Sequence, residues 1–418
     1  MTKIVYDKYA TLFVRSEEMN KKQFSFLTGG LLAMAIALGI GRFSYTPILP
    51  LMQQKFEFSE TIAGYLASAN YAGYLIGAIL TGLFSMQART VPVLRLSLII
   101  GVVTTLLMSL TTSYMGWAIL RFLSGICSAI VFVLASSMVL EKLRGIDKTN
   151  WSGFFYMGPG CGIFLTGISI PVLYNSWGWK GAWIGLSGLS LFLLFVTFLT
   201  FRETPDFLHN KKEKAFQQSL VPPKKWLPLL ILANGCEGLG YIVTGTFIVS
   251  IAQNTPSFYF DPSIIWIMVG VTAIPSCLIW SSLAKSWGFI KSLILAMLLQ
   301  AVGVSIPVFF SSSFSLFTSA AIFGATFMGI TSLGATLLGK MIPTNNSKIM
   351  GYFTAAYAIG QMIGPTLAGA LSEATSNYHA SLLGAAGIIL IGAISLISGL
   401  KYERKKEAKS ISHHLFKS

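Results

Sequence analysis

Charge is scarce in this sequence. Only 11% of its 418 residues are Asp, Glu, Lys or Arg, against about 25% in a typical soluble domain. Acid is scarcer still, with 15 Asp and Glu against 30 Lys and Arg. Such a chain cannot cover a soluble surface with solvated charge, which excludes an ordinary water-soluble enzyme or binding domain. Histidine and cysteine number four each. Cys127, Cys161, Cys236 and Cys277 lack metal-ligand spacing and fall in apolar stretches, so neither a disulfide framework nor a metal centre is expected. His209, His379, His413 and His414 lie outside the mid-membrane stretches, so no histidine serves as a buried proton relay. No nucleophile–base pair emerges, and an enzyme is not expected.

Long apolar runs are abundant. The mean hydropathy is +0.68 and 54% of residues are hydrophobic. A membrane-spanning helix needs about 20 predominantly apolar residues. We read twelve such segments, at 25–49, 61–84, 92–111, 115–140, 152–174, 181–201, 227–252, 263–284, 290–310, 314–338, 349–372 and 379–400. The expected fold is an all-α membrane protein of twelve transmembrane helices. The first apolar run is too long for a cleaved signal and has no small-residue cleavage pattern. Met19 offers a second candidate start, followed by MNKKQF without the polar leader.

The basic residues set the topology. With the N-terminus inside, nearly all Lys and Arg fall in cytoplasmic segments. Lys55 and Lys180 alone lie in external loops, while Arg42, Arg95 and Arg121 lie in or at the edge of spans. This bias follows the positive-inside rule and predicts both termini in the cytoplasm. The net charge of +15 is then a topology signal, and no nucleic-acid partner is expected.

The longest polar interruption, 202–225, is charged and proline-bearing, as a linker should be. It divides the chain into a tail at 1–23, a six-helix bundle at 24–201, the linker, a second six-helix bundle at 226–400 and a tail at 401–418. Echoes relate the halves. Leu38-Gly39-Ile40-Gly41-Arg42 is matched by Glu237-Gly238-Leu239-Gly240-Tyr241 at an offset of 199, and Gly158-Pro159 by Gly364-Pro365 at an offset of 206. A parallel 6+6 repeat suits two bundles rocking about a midplane site.

These segments resemble the major facilitator superfamily of secondary transporters. GIGRFSYTPILP in the first span and EGLGYIVTGTF in the seventh resemble, more narrowly, its YbfB/YjiJ branch. The resemblance implies two bundles, alternating access and a central cavity bordered by spans 1, 4 and 7. It names no substrate. Arg121-Phe122-Leu123-Ser124-Gly125 is similar to the family's buried-arginine motif in span 4. GFFYMGPGCG, from Gly153 to Gly162, resembles the glycine–proline motif associated with antiporters. The loop after span 2 departs from the family pattern: Gly82 and Arg89 remain, but the acidic residue is missing, and its repeat copy has Lys285 in that place.

Other small residues fit packing. Gly39, Gly41, Gly158, Gly238, Gly240 and Gly364 permit close helix approach, and Pro159 and Pro365 each remove a backbone donor. As a set they suit either gating or ordinary packing. Ala69, Gly73 and Gly77 share one face and are read as packing. Gly334 to Lys340 echoes a phosphate-cradling loop, but Met341 replaces the Mg²⁺-binding hydroxyl and no strand precedes it.

The chemistry rests on Arg42, Arg121 and Glu237, since ionisable groups inside spans are functional by default. Glu237 either carries a proton or pairs with Arg42 or another group and holds one conformation, a pairing that between bundles would act as a gate. Two cations against one anion favour an anionic solute, and arginine matches carboxylate or phosphate bidentately. Tyr45, Asn70, Tyr71, Tyr156, Tyr241, Tyr357 and Gln361 are candidates for lining the site. The expected function is a proton-coupled transporter of a small organic solute, leaning to export. It is expected to act as a monomer in the bacterial inner membrane, without a cofactor. A proton symporter importing an organic anion and a non-transporting receptor or assembly factor on the same fold are the alternatives.

Overall fold

A computed structural model describes residues 21–83, 90–146, 148, 151–201, 222–342 and 347–403. The alternative start at Met19, the tails up to residue 20 and from 404, most of the linker and the loop residues 84–89 lie outside them.

The chain is helical nearly throughout the described residues. In order run α1 (Lys21–Met34), a π-helical turn (Ala35–Ile40), α2 (Tyr45–Phe56), α3 (Glu60–Leu83), α4 (Thr90–Leu107), α5 (Tyr114–Gly145), α6 (Ser152–Phe155) and α7 (Gly158–Thr200). After the linker come α8 (Leu227–Gln253), α9 (Ser263–Trp287), α10 (Phe289–Phe309), α11 (Ser313–Met341), α12 (Ser347–Thr375) and α13 (His379–Leu396). Ten helical stretches are long and apolar enough to cross a membrane. One of them contains α7, which departs from helical geometry at Gly178 (φ 65°, ψ −166°). A side chain would strain that left-handed backbone, so glycine serves as the corner between two helices. The 29-residue α12 is not among the ten, but it packs against α3 and α8.

The helices present apolar side chains outward. On α4, Leu96, Ile99, Ile100, Val103, Leu106 and Leu107 are all exposed. They recur at helical spacing along one face, a pattern suited to lipid rather than water. This is a multi-pass membrane protein.

Elements α1 to α7 pack among themselves, as do α8 to α13, and the groups are joined by α3 on α12, by α7 and the short α6 on α9, and by α2 on α8. Within the first group, α3 and α5 touch at backbone distance. A Cβ on Gly73 would lie 1.9 Å from the Phe122 carbonyl oxygen, and one on Gly125 1.9 Å from that of Asn70. Gly77 meets Ile126 in the same way, so the small-residue stripe is a packing surface. Gly39 packs on Gly162, Gly158 on Leu31, Gly238 on Tyr357, Gly240 on Ile389, and Gly364 on Leu239 and Ile242. Gly41 turns back on the Ala37 carbonyl of its own chain.

The seam between α3 and α12 is equally tight. A Cβ on Gly64 would lie 2.2 Å from the Pro365 carbonyl oxygen, and one on Gly369 2.2 Å from that of Glu60. Ser68 and Thr366 hydrogen-bond across it at 2.8 Å, and the Thr61 amide donates to Glu373 at 3.1 Å. The two groups are thus closed against each other at the end where α3 begins and α12 finishes. Pro159 does not kink the middle of a helix. The chain breaks at Tyr156–Met157, and Pro159 sits in the first turn of α7, where a missing N–H costs no helical bond.

Candidate functional site

The site begins with a break in the first span. The Gly41 amide donates to Ile36 and the Phe43 amide to Leu38, five residues back, at 2.8 and 3.0 Å. Such π-type insertions locally free carbonyls from the helical ladder and recur at functional sites. Here α5 captures the freed groups. Arg121 Nη1 donates to the Arg42 carbonyl at 3.1 Å and Ser124 Oγ to the Gly41 carbonyl at 3.0 Å. Arg121 also donates from Nε to Leu66 at 3.5 Å, and its guanidinium carbon lies 4.5 Å from the Tyr45 ring centroid. Tyr45 in turn donates to the Ala63 carbonyl, and Asn70 Nδ2 to the Arg121 carbonyl. Arg121, Asn70 and Tyr45 therefore form a scaffold that holds the broken helix.

That scaffold fixes the backbone of Arg42 and aims its side chain at the interface between the two groups of helices. The Arg42 residue is only 4% exposed. Its guanidinium carbon lies 4.6 Å from the ring centroids of both Tyr71 and Tyr74, and 5.2 Å from that of Phe43. Cations are attracted to such faces. Across the interface, Nη2 donates to Tyr241 Oη at 3.4 Å. Gln361 Nε2 donates to the same oxygen. The Tyr241 ring lies near-parallel to Phe323, Phe327 and Tyr357, with centroids 5.6 to 6.3 Å away. Tyr357 Oη pairs with Thr331 at 3.1 Å. The result is an aromatic cage around one cation. Arg42 Nε has no hydrogen-bond partner, and the ionisable groups that act on the guanidinium are Tyr71, Tyr74, Tyr241 and Tyr357, with the Arg121 cation also within reach.

The cage meets the second half of the chain at matching positions. Arg42 bonds Tyr241, and Thr46 Oγ1 donates to the Gly245 carbonyl at 2.5 Å. Both pairs are separated by 199 residues, the offset of the sequence echo.

The structure thus brings together Arg42, Tyr71, Tyr241, Tyr357 and Gln361. It puts Arg121, Asn70 and Tyr45 behind them as support. Tyr156 lies in the break before α7, beside Ser136 and Cys277 and within electrostatic reach of Tyr74. Glu237 does not meet Arg42. It is fully buried on α8, facing Gln300 of α10, so the expected cross-bundle pair is not formed in this arrangement. Sequence reasoning missed Tyr74, Phe323, Phe327 and Gln300. Tyr74 was findable, one turn from Tyr71 on the same face. Gly334–Lys340 lies in α11, and a helix interior cannot cradle phosphate.

Comparison with known proteins agrees with this architecture. Residues 34–396 match the family described as "Uncharacterised MFS-type transporter YbfB". The chain belongs to this family of major facilitator transporters. It is 24% identical over 387 residues to the MFS-type transporter YceJ of Bacillus subtilis (strain 168), covering 90% of this chain and 96% of YceJ. It is 24% identical over 403 residues to the inner membrane transport protein YdhP of Escherichia coli O157:H7, covering 92% and 98%. A crystal structure of the nucleoside transporter NupG superposes with a TM-score of 0.69 at 14% identity, covering 89% of this chain and 99% of that one. The fold is thus that of a known transporter, and the family is a transporter family rather than an enzyme family.

Proposed function

We propose that this protein is a proton-coupled secondary transporter that carries a small organic anion by alternating access. On this reading its twelve spans form two six-helix bundles, 24–201 and 226–400, joined by the linker 202–225. Both termini face the cytoplasm of a bacterial inner membrane. The protein works as a monomer, without a resident cofactor, and draws energy from the proton gradient. With this orientation the closed α3–α12 seam faces outward.

The observation that carries the substrate reading is Arg42. A buried cation with an unused donor and no paired carboxylate is costly unless something supplies the missing charge. An organic anion would do so, reaching Nε and the guanidinium edge between the Tyr71 and Tyr74 faces. Tyr241 and Gln361, which now share one hydrogen bond at the far wall, supply further polar contacts. The antiporter-like segment Gly153–Gly162 supports export as the direction. NupG is a nucleoside transporter by name, but at 14% identity the likeness extends to the fold alone.

Two assays test this. Metabolite profiling of cells with and without the protein, inside and out, should show one or more organic acids redistributed outward. In proteoliposomes carrying that solute, uphill movement should require an imposed proton gradient, and Glu237→Gln should abolish uphill movement while leaving exchange. Uphill transport by Glu237→Gln at the wild-type rate would defeat the coupling role of Glu237.

A further inference from the structure

One buried polar pair lies outside the Arg42 cage. Glu237 on α8 and Gln300 on α10 are both 0% exposed. Neither carboxyl oxygen of Glu237 and neither polar atom of the Gln300 amide has a hydrogen-bond partner. Yet the amide faces the carboxyl, without closing a bond of good geometry. Four unpartnered polar atoms facing one another inside a helical bundle are exceptional, since buried polar groups are nearly always paired.

The chemistry of the two groups says what completes them. A carboxylate offers only acceptors, so it can take the amide N–H but must set its charge near the amide oxygen. A protonated carboxyl offers one donor and one acceptor, matching the amide's acceptor and donor. The neutral acid and the amide therefore close a ring of two hydrogen bonds. No charged side chain among the described residues faces the carboxyl. The titratable groups that interact with it electrostatically are Tyr357 from α12 and its chain neighbour Cys236 on α8. Apart from the Gln300 amide N–H, no side chain facing the carboxyl would stabilise the ionised form in so dry a place.

We propose that Glu237 and Gln300 form a proton-binding site inside the α8–α13 group, separate from the solute cage, with the protonated acid paired to the amide. Its use in transport rests on the proton-coupled reading above. The proton comes from bulk water and returns to it, and no bond other than the acid O–H forms or breaks. Tyr357 connects this site to the cage. It faces the carboxyl and stacks on Tyr241 at 5.6 Å, and Tyr241 accepts from Arg42. A charge appearing on Glu237 thus acts on the wall that holds the cation.

The site can be tested without a substrate, with protons as the only ligand. Full-length protein in liposomes is titrated with acid and followed by infrared difference spectroscopy. A carboxylic-acid C=O band should be present at neutral pH in the wild type and missing in Glu237→Gln. Gln300→Leu should move that band to the position of an acid without hydrogen bonds. If Glu237→Gln does not reconstitute, Glu237→Asp replaces it, and its shorter acid should give a displaced band. Identical spectra for the wild type and Glu237→Gln, or a band unmoved by Gln300→Leu or Glu237→Asp, would overturn the site. Solute flux independent of the proton gradient would instead overturn the transport reading and leave the band in place.

Discussion

The first span and α8 carry related sequences but solve opposite problems. At an offset of 199, Arg42 corresponds to Tyr241 and Leu38 to Glu237. The first span breaks at its glycines, and the break frees carbonyls that Arg121 and Ser124 then hold. Its charge sits on a bent, externally braced segment and reaches the interface. In contrast, α8 runs unbroken from Leu227 to Gln253. Its charge, one turn from the interface residue Tyr241, is enclosed within its own group of helices. A break in the helix carries the cation to the interface, whereas an intact helix keeps the acid fully buried. The two stretches thus differ in the ionisable residue each carries, Arg42 in the first and Glu237 in the second.

Removing the cation should break this comparison most severely. Arg42→Ala should lower solute transport about 100-fold or more, equivalent to roughly 2.7 kcal/mol, while the protein still reconstitutes, because its backbone is held by Arg121 and Ser124. Tyr241→Phe should cost less, about tenfold, since it removes only the oxygen that Arg42 and Gln361 share. Initial rates in proteoliposomes decide both.

Arg121→Ala should act on stability instead. It leaves the Arg42 carbonyl, freed by the break in the first span, without its donor, at roughly 1–3 kcal/mol for a buried unsatisfied group. Thermal unfolding in detergent should show a clear loss for Arg121→Ala and little for Arg42→Ala. Equal losses would mean that the two arginines do not divide the work in this way.

The glycines sharpen the contrast between packing within a group and packing between groups. Gly64→Ala puts a methyl 2.2 Å from the Pro365 carbonyl oxygen, and only separation of α3 from α12 relieves it. Disulfide formation between Ser68→Cys and Thr366→Cys, whose native hydroxyls are 2.8 Å apart, should slow about tenfold, a shift of about 1.4 kcal/mol. Gly73→Ala clashes inside one group, so it should lower thermal stability without slowing the cross-link.

The smallest effect concerns pH. Hydrogen bonds from the Thr61 and Ser59 side chains and the Thr61 amide hold the Glu373 carboxyl below its ordinary value. Glu373 lies just beyond the expected span 349–372 and is solvent-exposed. Because its value is depressed in the closed seam, its support is complete above the ordinary carboxylate range and is lost as the pH falls through the depressed value. Cross-linking should therefore slow modestly in acid, and Glu373→Gln should flatten that dependence.

Much of this was legible in the sequence. The apolar runs located the helices, and GIGRFSYTP marked the cation but not the break in the helix that carries it. Tyr71, Tyr241, Tyr357 and Gln361 were named for the site and do meet there. The side of α8 that Glu237 faces was not legible. Residues 237 and 241 stand one turn apart and point in nearly the same direction, so whether either meets the interface depends on how neighbouring helices tilt. Gln300 carried no signal beyond being polar in an apolar run. Phe323 and Phe327 were indistinguishable from lipid-facing phenylalanines, because burial by another helix leaves no mark on composition.

The central claim is that Arg42 awaits an anion. It is tested most directly by ligand-dependent thermal stabilisation of the purified protein, with matched pairs of small carboxylates and their uncharged amides, benzoate and benzamide among them. At least one carboxylate should raise the unfolding temperature of the wild type while its amide does not, and Arg42→Ala should abolish the difference. Amides that stabilise as well as their acids, or an acid preference that survives in Arg42→Ala, would contradict it.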